Sequence, residues 1–314
     1  MTNLNETLKK LFSLLNFTYH KELIHTGSIH AFQCSSKNLN DKNNKTRENV
    51  IGAIINQKMP EDYFIIWKWE RLKRAIFQYL EQLNDSRPYV KVECIHKAGR
   101  KYNYDFEIRF DYDDQTQQTF NIELKFNSSS VENTPQFVSP MKPSQYMSNS
   151  YEEYFYDHYL PLLSAAAGIP LPSKEEYLKQ IHSNKPKCMK PFQDLYYQGC
   201  EVSRKFTKKE EDIQFYHLSK KLSNESIASF IDKTELHIDL LSSYLLNTQQ
   251  NKIYMLYHNK KFQLQKTNMD DYVLESVTKH VNRYDCRSKS GKVIQILLRW
   301  KNGNGIAFPA FQIS

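Results

Sequence analysis

Residues 103–126 constrain what this chain can fold into more than any other stretch. From 103 to 110 the side chains alternate strictly, with Tyr104, Phe106, Ile108 and Phe110 on one face and Asp105, Glu107 and Arg109 on the other. The pattern repeats from 119 to 126, where Phe120, Ile122, Leu124 and Phe126 oppose Thr119, Asn121, Glu123 and Lys125. A period of two marks a strand with one buried face. The polar run 111–118 reads as the hairpin loop between them. A further strand is expected at 89–95, closed by the turn-like Lys97-Ala98-Gly99-Arg100. Upstream, over 61–83, the period changes: Phe64, Trp67, Leu72, Ile76, Tyr79, Leu80 and Leu83 recur at spacings of three and four, which predicts an amphipathic helix. Asn84-Asp85-Ser86-Arg87-Pro88 ends it, because proline disfavours helical geometry in the residue before it. Residues 62–126 should therefore form a helix followed by a three-stranded meander packed on it.

The remaining patterns are looser. A helix is expected at 6–15, then a polar surface connection over 35–49, rich in Ser, Asn, Asp and Lys. Downstream, 151–167 reads as a helix and 223–246 as one or two more. Two late strand pairs follow, 252–258 with 261–266 and 293–300 with 306–313. Lys301-Asn302-Gly303-Asn304-Gly305 joins the second pair, and Asn-Gly accepts the positive φ angles of a tight turn. The expected class is α/β in the α+β sense: a central mixed sheet flanked by helices, with additional helices and C-terminal β-hairpins. The expected parts are an N-terminal helical and loop extension (1–60), a core (61–170) completed by 250–266, and a helical insertion with a β-rich C-terminal part (171–314).

Composition removes several function classes. The chain's 18 Phe, 21 Tyr and 3 Trp among 314 residues supply ample core material and argue against disorder. No stretch approaches the roughly 18 apolar residues needed to span a bilayer, and the N-terminus lacks a basic n-region and a long apolar h-region. A protein retained inside the cell, with no membrane partner, is expected. Five dispersed cysteines without a C-x-x-C pair argue against a disulfide framework and a thiolate zinc site. The glycines form neither a phosphate loop nor a dinucleotide fingerprint, and no G-x-S-x-G or H-E-x-x-H appears. Lys and Arg exceed Asp and Glu by 43 to 35, a formal charge of +8 that is compatible with a polyanionic partner.

Chemistry concentrates on the polar face of the meander. If the strands bearing Asp105 and Glu123-Leu124-Lys125 pair as an antiparallel hairpin, all three polar groups converge. Two carboxylates a few ångströms apart repel each other, and a divalent cation relieves that repulsion; hard oxygen donors suit Mg²⁺. A neighbouring lysine can position an attacking water and offset charge that develops on a phosphorane-like transition state. Glu123-x-Lys125 is the only acidic-x-Lys triplet in the chain. Glu107 shares the face of Asp105 and competes for the ligand role. The plain alternative is a solvated Asp105 and an exposed Glu123–Lys125 pair worth under about 1 kcal/mol. Gln136, just after the motif strand, is either a phosphate contact or an ordinary loop residue. Lys185-Pro186-Lys187-Cys188-Met189-Lys190 and Arg204-Lys205-Phe206-Thr207-Lys208-Lys209 are either DNA-neutralising clusters or solvated faces. The aromatics of 151–158 fit a core better than a base-stacking platform.

Tyr104-Asp105 with Ile122-Glu123-Leu124-Lys125 resembles the PD-(D/E)xK nuclease superfamily, although Asn103-Tyr104 stands where its name-giving proline would precede the Asp. The resemblance covers about a third of the chain. It implies a restriction-endonuclease-like α-β-β-β-α-β core over 62–167, with a final strand from 252–257. It further implies Asp105 and Glu123 as metal ligands, Lys125 as the catalytic lysine serving the water, and a helix glutamate near the metal, for which Glu70 is the candidate. The function implied is a Mg²⁺-dependent nuclease, Mn²⁺ substituting, that hydrolyses phosphodiester bonds of DNA, endonuclease rather than exonuclease. RNA offers the same chemistry, and a homodimer would match the two-fold symmetry of a duplex, by analogy only. The competing reading is a non-catalytic nucleic-acid- or protein-binding module with a relic site.

Overall fold

The structure is a computed structural model that describes residues 16–33, 40–97, 102–133, 136–137, 142–183 and 186–314. The expected helix at 6–15, residues 98–100 of the turn expected at 97–100 and Lys185 lie outside the described residues. The chain divides into two compact units, 1–134 with 249–267, and 135–248 with 268–314.

The first unit opens with a short hairpin, β1 (Asn16–Tyr19) and β2 (Glu22–His25), turned by His20 and Lys21 at positive φ. Helices α1 (Asn40–Ile55) and α2 (Trp67–Leu83) follow, then strands β3 (Lys91–His96), β4 (Phe106–Asp111) and β5 (Gln117–Phe126). The chain crosses into the second unit for β6 (Gln136–Phe137), α3 (Tyr151–His158), α4 (Leu160–Ala167), α5 (Lys174–Gln180), α6 (Lys190–Gly199), α7 (Glu210–Asp232) and α8 (Ile238–Gln249). It returns for β7 (Lys252–His258) and β8 (Lys261–Lys266), and ends with β9 (Leu274–Lys279), β10 (Arg283–Ser288), β11 (Val293–Trp300) and β12 (Pro309–Ile313).

In the first unit the sheet order is β3-β4-β5-β7-β8, with β5 and β7 parallel and every other pair antiparallel. This is a mixed five-stranded sheet flanked by helices. Phe106, Ile108, Phe110, Ile122 and Met255 from one face form a continuous core with Ile51, Ile54, Trp69, Ile76 and Tyr79 from α1 and α2. The opposite parity, from Asp105 through Glu123 and Lys125, is left for polar groups. The second unit carries its own antiparallel sheet, β6-β12-β11-β10-β9, and its own core, in which Trp300 donates to the Tyr151 hydroxyl (2.7 Å).

Several expectations change. Residues 40–49, expected as a surface connection, form the first half of α1. Composition misleads here because the polar residues are used internally. Arg47, 1% exposed, donates to the carbonyl of Ala31 (2.7 Å) and to Asn44 (2.6 Å). Residues 1–60 are thus grouped with the meander, while 135–170, placed with the core from sequence, belong to the second unit. The expected helix at 151–167 is broken at Tyr159, where Pro161 starts α4. Within α2 the expected stripe of Leu72, Ile76, Tyr79, Leu80 and Leu83 is buried, but at the helix start the buried tryptophan is Trp69 and Trp67 is 63% exposed. Strands β9 and β10 and the β1–β2 hairpin have too little alternation to be legible beforehand.

Candidate active site

Register, not proximity in sequence, builds the site. Phe106 pairs with Ile122, and the N–H of Asp105 donates to the Ile122 carbonyl (2.9 Å), which sets Asp105 opposite Glu123. The N–H of Leu124 donates to Asp105 Oδ2 (2.8 Å) and fixes the carboxylate against β5. Burial and the charge of Glu123 push the Asp105 carboxyl up to about 6, although the Leu124 N–H and the two nearby lysines pull the other way.

Glu123 is held from two sides. One carboxylate oxygen accepts from Lys125 Nζ and the other from Lys252 Nζ (2.6 Å). Lys252 is absent from the sequence-based candidates. Parallel pairing of β5 with β7 sets Lys252 beside Asn121 and Tyr254 beside Glu123, so Lys252 shares the polar face. Its side chain is 6% exposed. Burial works to raise the Glu123 carboxyl, but Lys125 and Lys252 overcome it and hold the group below the usual carboxylate range. Lys252 was legible only as the one charged residue opening an otherwise apolar strand.

The helix glutamate is not where Glu70 was expected. Glu70 pairs with Arg74 (3.1 Å) on the exposed side of α2. Instead α1 brings Glu48, whose carboxyl burial and the charge of Asp105 push up to about 7. A close approach positions α1: a Cβ on Gly52 would lie 2.6 Å from His96 Nε2 on β3. The His96 ring in turn donates to the Glu48 carbonyl (3.0 Å), and burial with neighbouring His20 pushes its imidazole down to about 4. The sequence signal was the apolar run after Glu48, Val50-Ile51-Gly52-Ala53-Ile54-Ile55, which a surface connection would not carry.

Glu107, the competitor for the ligand role, is engaged elsewhere: it accepts from the Tyr104 hydroxyl (2.8 Å) and pairs with Lys97 (2.9 Å). Gln136 lies in β6, paired with Ile313 in the second unit's sheet, not in a loop beside the motif strand. Of the basic clusters, Lys190 (2.5 Å) and Lys205 (2.7 Å) converge on Asp194 and are part-neutralised by it. Tyr151 and Phe155 are fully buried, as a core role requires.

The donor set fits a hard divalent cation in one respect and resists it in another. Asp105 and Glu48 are half-buried carboxyls raised first by desolvation and then by neighbouring negative charge, and an oxygen-liganded cation relieves the second of these. Among the described residues, however, no three His, Cys, Asp or Glu side chains stand close enough to hold a metal ion. Glu123 would have to exchange an ammonium for the cation. No family model, curated protein or solved structure matches this chain. Among the described residues no helix is long and apolar enough to cross a membrane.

Proposed function

We propose that the first unit is a Mg²⁺-dependent nuclease that hydrolyses phosphodiester bonds of DNA, endonuclease rather than exonuclease, with Mn²⁺ able to substitute. The observation that carries the reading is the convergence of Asp105, Glu123 and Lys125 across β4 and β5, joined by Glu48 from α1. The element order supports it too: a helix, three antiparallel strands, a long crossover and a parallel strand beside the third, the connectivity that the PD-(D/E)xK resemblance calls for. Asp105 and Glu123 would hold the cation, with the charge of Glu48 felt by Asp105. When bound, a divalent cation supplies Lewis acidity at the phosphoryl oxygen and makes water a stronger acid.

The chain's own residues supply the rest. The Leu124 N–H orients Asp105. Lys125 and Lys252 together keep Glu123 ionised, and Lys125 would also position the water and offset charge on the pentavalent phosphorus. Asp105→Asn removes a charge without changing shape. It is expected to lower Mg²⁺-dependent plasmid cleavage by at least about a hundredfold while the thermal unfolding midpoint stays level or rises. Wild-type turnover by that variant would refute the assignment.

A second reading has one observation in its favour. Glu123 is already satisfied by two ammonium groups, as in a structural ion pair of a non-catalytic binding module. Absence of cleavage by the wild type, on duplex or single-stranded DNA with either metal, would favour it.

A further inference from the structure

At the end of the sheet where β5 and β7 finish, the first unit carries a cationic recess that the site does not use. Lys68 and Arg71 on the first turns of α2 and Lys260 in the β7–β8 turn surround it, floored by Phe32, Leu72 and Tyr257. Three features suit it to an anion. Its cations are pre-positioned: the Arg71 guanidinium rests 4.3 Å from the ring centroid of exposed Trp67, and Lys260 is fixed at φ +64° in a two-residue hairpin turn. Among the described residues none of the three pairs with a carboxylate, and Glu61 and Glu70 are taken by Lys73 and Arg74. A further positive charge lies behind the floor, where Arg47 sits 3.4 Å over Phe126 and Phe126 stacks on Tyr257 (5.4 Å, 10°).

The register fixes where this recess lies relative to the site. Glu123 pairs with Tyr254 and Phe126 with Tyr257. Three residues along a strand reverse the face, so the recess lies where β5 and β7 end on the helix-covered face, while Glu123 stands on the opposite, polar face.

We propose that Lys68, Arg71 and Lys260 form an anion site for a backbone phosphate of bound DNA. The inference rests on the nuclease reading for its substrate, but its test does not depend on cleavage. Binding of a short fluorescein-labelled DNA duplex is measured in EDTA across a salt series. The variants are Arg71→Gln/Lys260→Gln and, as a control with the same charge change on α7, Lys220→Gln/Lys221→Gln.

Removing two of the three cations around that phosphate should weaken binding about tenfold near 0.1 M salt and reduce the slope of log affinity against log salt by about one. The control should bind as the wild type does. Equal affinity and slope for Arg71→Gln/Lys260→Gln and the control would overturn the proposal, as would a wild type that does not bind the duplex. Weakened binding in a protein that never cleaves would sustain the anion site while the nuclease reading fell. Unchanged binding in a protein that does cleave would do the reverse.

Discussion

Each acid at the candidate site has been driven to a different state by its neighbours, and that difference is measurable. Glu48 moves from 4.5 to about 7 through burial and the charge of Asp105. An acid raised in the folded state keeps its proton there while the unfolded chain has lost it. Stability therefore falls as pH climbs from about 4.5 to about 7. Glu48→Gln removes that share, on the order of 2 kcal/mol. Urea unfolding should show the variant more stable than the wild type at pH 8 and indistinguishable at pH 4; parallel profiles would contradict the assignment. Glu123 lies on the opposite side, kept ionised by Lys125 and Lys252. Lys252→Met leaves a buried carboxylate with one cation, and a loss of about 2–3 kcal/mol is expected in the same assay. Asp105, Glu123 and Lys125 were legible because alternation assigns faces without knowledge of the fold. Glu48 and Lys252 were not, because each reaches the site through a partner far away in the chain.

Elements were legible where one period governed them and one face was buried. The β3–β5 meander met that condition; β7, buried on both faces, was legible instead as a short apolar run. Helix α1 did not: its buried residues include Arg47 and Asn49, so its polarity says nothing of its burial. Two close helix approaches show what sequence patterns leave out. On α6, a Cβ at Gly199 would lie 1.9 Å from the Asp212 carbonyl oxygen of α7, a backbone atom that has nowhere to go. On α1, a Cβ at Gly52 meets the tip of the His96 ring instead, which can turn at the cost of its bond to Glu48. Gly199→Ala is therefore expected to destabilise by about 3 kcal/mol or more, and Gly52→Ala by about 1 kcal/mol. Thermal unfolding of the two variants side by side checks the order; a milder Gly199→Ala would count against this helix packing.

For the whole molecule, the chain passes between its two units three times, and the strand that supplies Lys252 is reached only after the helices of the second unit. The crossover between β5 and β7 thus contains most of another fold. The return of 250–266 to the core was legible beforehand, but the boundaries were not, since no composition shift marks 134, 248 or 267. The central claim, that the meander's polar face is a phosphodiesterase site, does not depend on those boundaries. Its most direct test is plasmid cleavage in Mg²⁺ by wild type and Lys125→Ala, with duplex binding measured on the same preparations in EDTA. The account predicts metal-dependent cutting that Lys125→Ala loses while its DNA affinity is kept. Equal cutting by the two proteins would contradict it.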